Sequence, residues 1–280
     1  MLSRLIKLGI SAVVFLRDWC ARRLSGGGQP GTCVFLTYHT VSEGGRAHFA
    51  RQLAMLGRLA RILPGVRVRE LEKGVHHAVI TFDDAFESFF QNALPALAAA
   101  KVPVLLFVPT GYLGRKSAWF DYGSENAVGE QVVSAEELQR RVREEAIEIG
   151  SHTVNHLNLA EISDEQARAE LRDSRQTLES LCQRKVNSIS FPYGSGGARE
   201  ARLAAEAGYD FCFGVLPETL SGTIHSGLVG RVSVQPTDWD IEFKLKVLGA
   251  YRWLPRASAW KKKAMRPASS VEMKEVKLHG

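Results

Sequence analysis

The 280-residue sequence predicts a parallel α/β fold. Short runs rich in apolar, β-branched and aromatic residues recur seven times, at 33–38, 78–82, 102–108, 147–150, 188–191, 210–215 and 229–234. Helix-like stretches separate most of them, at 49–62, 86–100, 135–145, 164–182 and 199–208. Tyr38-His39, Asp83-Asp84, His152, Pro192-Tyr193 and Arg231 all stand at or just past the C-terminal end of one of these runs. Strands that alternate with helices pair in parallel, and a parallel sheet is covered on both faces, so its strands read as unbroken apolar runs. The C-terminal edge of such a sheet is where active sites gather. Period alone leaves both a barrel and an open doubly wound sheet standing.

Ahead of the first strand, Leu8 to Leu16 is mostly apolar but lies between Lys7 and Arg17, too short a run to span a bilayer. Arg17-Asp18-Trp19-Cys20 follows it, with no small-x-small cleavage site, so a signal peptide does not fit. On a helical period, Arg4, Lys7, Ser11, Asp18 and Arg22 share one side, and Leu2, Leu5, Ile6, Ile10, Val13 and Leu16 the other. Such a helix can lie in a headgroup plane or pack its apolar side on the body. Ser25-Gly26-Gly27-Gly28-Gln29-Pro30-Gly31 reads as a linker. The expected organisation is a basic amphipathic helix and linker over 1–30, one catalytic domain over 31–255, and a basic, disordered tail over 256–280.

Charge divides along the same lines. The chain carries +6 overall, but residues 1–30 hold +4 and residues 256–280 hold +5, which leaves the middle at −3. A mildly acidic body argues against a nucleic-acid groove, so no nucleic-acid partner is expected. Basic ends suit an anionic membrane surface. Peripheral membrane association through residues 1–24 is therefore the expectation, with the cytoplasmic face favoured over a periplasmic or exported site. At 45% hydrophobic, the chain can bury a full core. Four cysteines without a CxxC spacing suggest scattered thiols in a reducing compartment, neither a disulfide framework nor a zinc knuckle.

Two clusters carry chemistry. Thr81-Phe82-Asp83-Asp84 closes one strand, and Ser151-His152-Thr153-Val154-Asn155-His156 closes another. Taken singly, each has a bland reading: an Asp-Asp turn capping the helix from Phe86, or an HxxxH pair on a surface helix. On one sheet edge they supply two carboxylates and two imidazoles, ligands suited to a catalytic divalent cation with an open position. One carboxylate then remains free as a base. The i, i+4 spacing of the histidines predicts a helical turn presenting both rings, with Ser151 as its cap.

With Phe191-Pro192-Tyr193-Gly194 added in this order, residues 31–240 resemble the polysaccharide deacetylases of the NodB homology type, carbohydrate esterase family four. Tyr38-His39-Thr40-Val41 is similar to the poly-N-acetylglucosamine deacetylase branch and to enzymes of exopolysaccharide clusters. The resemblance implies a distorted, incomplete (β/α) barrel of about seven parallel strands. It implies Asp83 as general base, Asp84, His152 and His156 as ligands of a divalent metal, with zinc expected, and Pro192-Tyr193 as the loop whose Tyr193 backbone N–H holds an oxyanion.

The chain departs from the family pattern at three places. Ala85 follows the double Asp where the family often has Gly. Ser190 stands where many members carry an Arg that orients the base, which makes Arg231 the expected replacement. The late Leu-x-His motif of the general acid is not evident, so His225 is the first candidate for that role and His39 a further one. Trp119, at the head of Trp119-Phe120-Asp121-Tyr122, offers a ring for a sugar face or serves packing alone. Trp239, Trp253 and Trp260 are assigned to helix packing or membrane contact. The implied activity is deacetylation of N-acetylhexosamine units in a bacterial surface polysaccharide or its lipid-linked precursor. An O-acetyl esterase is the alternative chemistry, and a catalytically silent carbohydrate-binding scaffold the alternative class.

Overall fold

The computed structural model describes residues 2–24, 29–66, 69–119, 129–144 and 147–255. The expected tail over 256–280, Trp260, residues 25–28 of the linker and the triplet after Trp119 lie outside the described residues. In chain order the elements are α1 (Leu2–Leu24), β1 (Thr32–Tyr38), α2 (Arg46–Leu59), β2 (Arg61–Ile62), β3 (His76–Phe82), α3 (Leu94–Ala99), β4 (Val104–Val108) and α4 (Ala135–Glu144). There follow β5 (Ile147–Ser151), α5 (Asp164–Cys182), β6 (Ser188–Ser190), α6 (Ala198–Glu206), β7 (Phe211–Phe213), β8 (Leu220–Ser221), β9 (Gly227–Val229), β10 (Val232–Ser233) and α7 (Asp240–Val247).

The sheet runs β10-β1-β3-β4-β5-β6-β7-β9, and every neighbouring pair along it is parallel. β2 adds to β3, and β8 pairs antiparallel with β1. The stretch expected as one strand over 229–234 divides: β9 extends β7, β10 extends β1, and only Gly230 and Arg231 separate them. The two ends of the sheet are therefore one bent stretch of chain. The architecture is a single-domain, distorted and incomplete (β/α) barrel.

Strand side chains alternate in period two. Cys33, Phe35, Val79, Leu105, Phe107, Phe211, Phe213 and Val229 form one buried cluster, the filling of the curl. Phe213 stands 5.2 Å from Phe35 and 5.3 Å from Phe107 between ring centroids. Residues of the other parity, such as Val34, Leu36, Ile80 and Leu106, belong to a second cluster under the helices. Gly150 is needed at its inward position on β5, because a Cβ there would collide with the Phe107 ring.

α1 packs on α7. Arg4 donates to the Glu242 carboxylate, Trp253 Nε1 to Ser11 Oγ, and Arg252 to Asp18. The apolar side does not face the body. Of the two placements read from the sequence, packing by that side is ruled out, since the body has taken the polar side. No described helix is long and apolar enough to cross a membrane. All four cysteines are free thiols, Cys20 exposed and Cys33, Cys182 and Cys212 buried.

Candidate active site

At the C-terminal end of β3 the chain turns sharply: Asp84 and Ala85 have φ of 69° and 50°. That turn brings both carboxylates to one cavity, which a straight strand would forbid. Ala85 adopts a left-handed conformation that Gly takes without penalty, which accounts for Gly at the equivalent place in the resemblance. Neither Asp caps a following helix; both are buried.

Asp83 is held from below. Arg231 Nη1 donates to its Oδ1 at 2.7 Å and Nη2 to its Oδ2 at 2.8 Å, a two-pronged pair. Ser190 Oγ donates to Oδ2 at 3.1 Å and in turn accepts from Arg231 Nη2 at 2.7 Å. Arg231 also donates to Thr81 Oγ1 and the Gly214 carbonyl, and lies over the Phe107 and Phe213 rings, with no exposed surface. The bend between β9 and β10 aims this guanidinium into the barrel. Burial alone would raise the Asp83 carboxyl, but the Arg231 charge wins and holds it well below the usual carboxylate range.

Asp84, His152 and His156 converge. Oδ1 of Asp84 lies 3.6 Å from His152 Nε2 and 3.3 Å from His156 Nε2, and the three ligand atoms fall within 4.8 Å of one another. Two ligands at zinc-bonding distance in tetrahedral array stand about 3.4 Å apart. Asp84 Oδ1 and His156 Nδ1 are buried and accept or donate no hydrogen bond among the described residues. His152 Nδ1 lies 2.8 Å from the Ser190 carbonyl, which can only accept, so Nδ1 carries the proton and Nε2 presents its lone pair to the cluster. Burial lowers the His152 imidazole to about 4, which keeps it neutral at physiological pH. An orphaned carboxylate oxygen facing two imidazole nitrogens, at these separations, fits a divalent cation.

The two histidines do not ride a helical turn. They stand in a loop after β5, with Thr153 and His156 at φ of 66° and 55°. Ser151 Oγ does accept from the Thr153 N–H at 3.1 Å. What fixes the loop is Glu170 on α5, whose carboxylate accepts from the backbone N–H groups of Val154 and Asn155 and from the Asn155 side chain. Nothing in the sequence distinguishes Glu170 from the other acids of that helix.

A cavity of about 310 Å³ opens over these groups, lined by His39, Trp119, Tyr193 and Val215 besides the acids and imidazoles. His39 Nε2 lies 4.0 Å from Asp83 Oδ2. Pro192 starts a tight turn in which Tyr193 has φ 60°, and the half-exposed Tyr193 ring meets His156 edge-on at 4.9 Å. Of the two readings of Trp119, packing fits and the sugar face does not: the ring is buried and lies flat on the His156 ring at 3.9 Å, so that face is closed to a sugar. His225 is not in the cavity. It is exposed and precedes β9, at the end of the barrel opposite the strand C-termini.

Fold and site together define a class: a (β/α) barrel with an Asp–His–His cluster, suited to a cation, beside a guanidinium-clamped carboxylate. The sequence profile described as polysaccharide deacetylase matches residues 71–212, and the chain belongs to the polysaccharide deacetylase family. The matched stretch includes the acids, the histidines and Pro192-Tyr193, but neither His39 nor Arg231. The YxkH protein of Bacillus subtilis is 27% identical over 56% of this chain and 51% of its own length. A poly-β-1,6-N-acetyl-D-glucosamine N-deacetylase of Staphylococcus aureus is 23% identical over 55% of this chain and 53% of its own. The chain thus spans about half the length of the curated relatives it matches. Among solved structures, IcaB from Ammonifex degensii superposes with a TM-score of 0.62 at 23% identity, covering 80% of this chain and 98% of that one. The Streptococcus pyogenes deacetylase PplD gives 0.59 at 20% identity, over 74% and 94%. At these identities both speak for the fold alone.

Proposed function

We propose that this protein is a metal-dependent deacetylase acting on N-acetylhexosamine units of a bacterial surface polysaccharide or its lipid-linked precursor. One observation carries the reading: a carboxylate kept ionised by Arg231 shares a cavity with the Asp84–His152–His156 cluster. Asp84 Oδ1 and the Nε2 atoms of the two histidines would hold the cation, with zinc expected from a nitrogen-and-oxygen donor set. A cation held there would supply Lewis acidity, so that even so weak a base as Asp83 could receive a proton from water.

Asp83 receives that proton, and Arg231 with Ser190 keeps its carboxylate oriented toward the cavity while it does so. The Tyr193 backbone N–H is the proposed donor to the developing oxyanion. An amine leaves only when protonated, so amide cleavage needs an acid. His39 takes this role in place of His225, because among the described residues it is the one imidazole lining the cavity outside the Asp84–His152–His156 cluster. His39 also lines a larger adjoining cleft of about 1290 Å³ with His48, Arg51, Trp239 and Asp240, room that suits the flanking units of a polymer. Residence at a membrane, with the cytoplasmic face favoured, belongs to the same reading.

Purified protein supplied with zinc should release acetate from N-acetylglucosamine oligomers, and Asp83→Asn should lower the rate by about 10²–10⁴-fold. Undiminished release by that variant would contradict the assignment of the base. His39→Asn should lose amide cleavage while retaining most cleavage of an activated acetyl ester, whose leaving group needs no proton. Loss of the amide reaction in His225→Ala instead would move the acid to the other end of the barrel.

A further inference from the structure

A helix on the surface of a globular body ordinarily turns its apolar side inward. α1 does the opposite. Its inward side is held by the contacts of Arg4, Ser11 and Asp18 with Glu242, Trp253 and Arg252, and Leu8, Ala12, Val14 and Phe15 lend apolar packing around that line. Its outward side presents Leu2, Ile6, Val13 and Leu16 at 73%, 54%, 66% and 56% exposure. By the helical period these four fall within a sector of roughly 80°.

The charges around that stripe have one sign. Arg17 and Arg23 flank it and are exposed, Lys7 and Arg22 are exposed on the polar side, and Asp18, the helix's single acid, is taken up by Arg252. Beyond residue 255, close to Arg252, the sequence continues with 25 residues of net charge +5. Aromatic rings stand toward both ends of the stripe, each under a guanidinium: Trp19 beneath Arg23 at 4.5 Å and Trp239 beneath Arg4 at 4.3 Å. Apolar side chains rimmed by basic groups and half-exposed Trp are what an interfacial helix needs.

We propose that the outward side of α1 is a docking surface for an anionic lipid bilayer. A second copy of the chain would set the same basic rim against itself, while anionic headgroups complement it. Trp239 and Ile241, exposed at the start of α7, line the cleft that shares His39 with the catalytic cavity. The rim of that cleft therefore adjoins the docking helix, and the glycan it receives is one tethered at the bilayer. This second half rests on the deacetylase reading.

The test is cosedimentation of the full chain with phosphatidylcholine–phosphatidylglycerol vesicles, with phosphatidylcholine alone as reference and no glycan present. Wild type should bind the anionic vesicles, and Ile6→Glu/Val13→Glu should bind about tenfold more weakly or less. Thermal melting and acetate release from soluble oligomers should be unaltered in that variant, since both side chains point to solvent. Absence of binding by wild type, or equal binding by the variant, would overturn the docking surface. So would a wild-type dimer in sedimentation velocity that the variant disperses while neither form binds vesicles. Because no glycan is present, failure here leaves the deacetylase reading intact; vesicle binding by a protein that releases no acetate would overturn the substrate half alone.

Discussion

Arg231 is the residue on which the electrostatics of the site turn. A guanidinium with no exposed surface is tolerable only because Asp83, Ser190, Thr81 and the Gly214 carbonyl together meet its donors. Replacing it by Met leaves Asp83 as a buried charge without its ionic partner, a change that typically costs about 3–5 kcal/mol of stability. Burial then raises the Asp83 carboxyl without the Arg231 charge to oppose it, so the acid limb of the pH–activity profile should move to higher pH. Lys restores the charge but not the two-pronged geometry and should recover only part of the activity. An unmoved acid limb together with wild-type melting in Arg231→Met would show that Arg231 does not govern Asp83.

At the scale of elements, what the sequence discloses is what local forces decide. The run 164–182 and the helix Asp164–Cys182 coincide because Ser163 and Gln166 form a reciprocal cap that is written in adjacent residues. The runs at 33–38 and 78–82 became β1 and β3 because a strand buried on both faces has no polar alternation to hide it. The division of 229–234 was not legible, since it depends on β7 and β1 each claiming half of that stretch. The HxxxH spacing suggested a helix, but Glu170 captures the loop's N–H groups and two left-handed residues replace the helical turn. Amphipathicity disclosed that α1 has two sides; which of them the body takes depends on Glu242, Trp253 and Arg252, more than 230 residues away. Trp119 sits beside its expected loop, but its burial follows from the position of His156, which no local pattern encodes.

For the molecule as a whole, the site makes folding acid-sensitive. In the unfolded chain His152 takes a proton near its ordinary value of 6.5, whereas the folded chain refuses it until about 4. Asp83 is likewise held below its ordinary value when folded. In both cases the unfolded state binds more protons as pH falls, so stability rises with pH across the window. Chelator-treated protein should lose about 3 kcal/mol through His152 between pH 6.5 and 4, and His152→Asn should flatten that part of the curve. A melting temperature that held steady or rose on acidification would contradict the neutral, buried imidazole.

The central claim is that Asp84, His152 and His156 share one cation. Chelator-stripped protein dialysed against zinc and then assayed for metal tests it without reference to activity. One zinc per chain is predicted for wild type and for Asp83→Asn, whose altered group lies outside the cluster, and little or none for His152→Ala. Zinc retained equally by His152→Ala, or absent from wild type, would contradict the account.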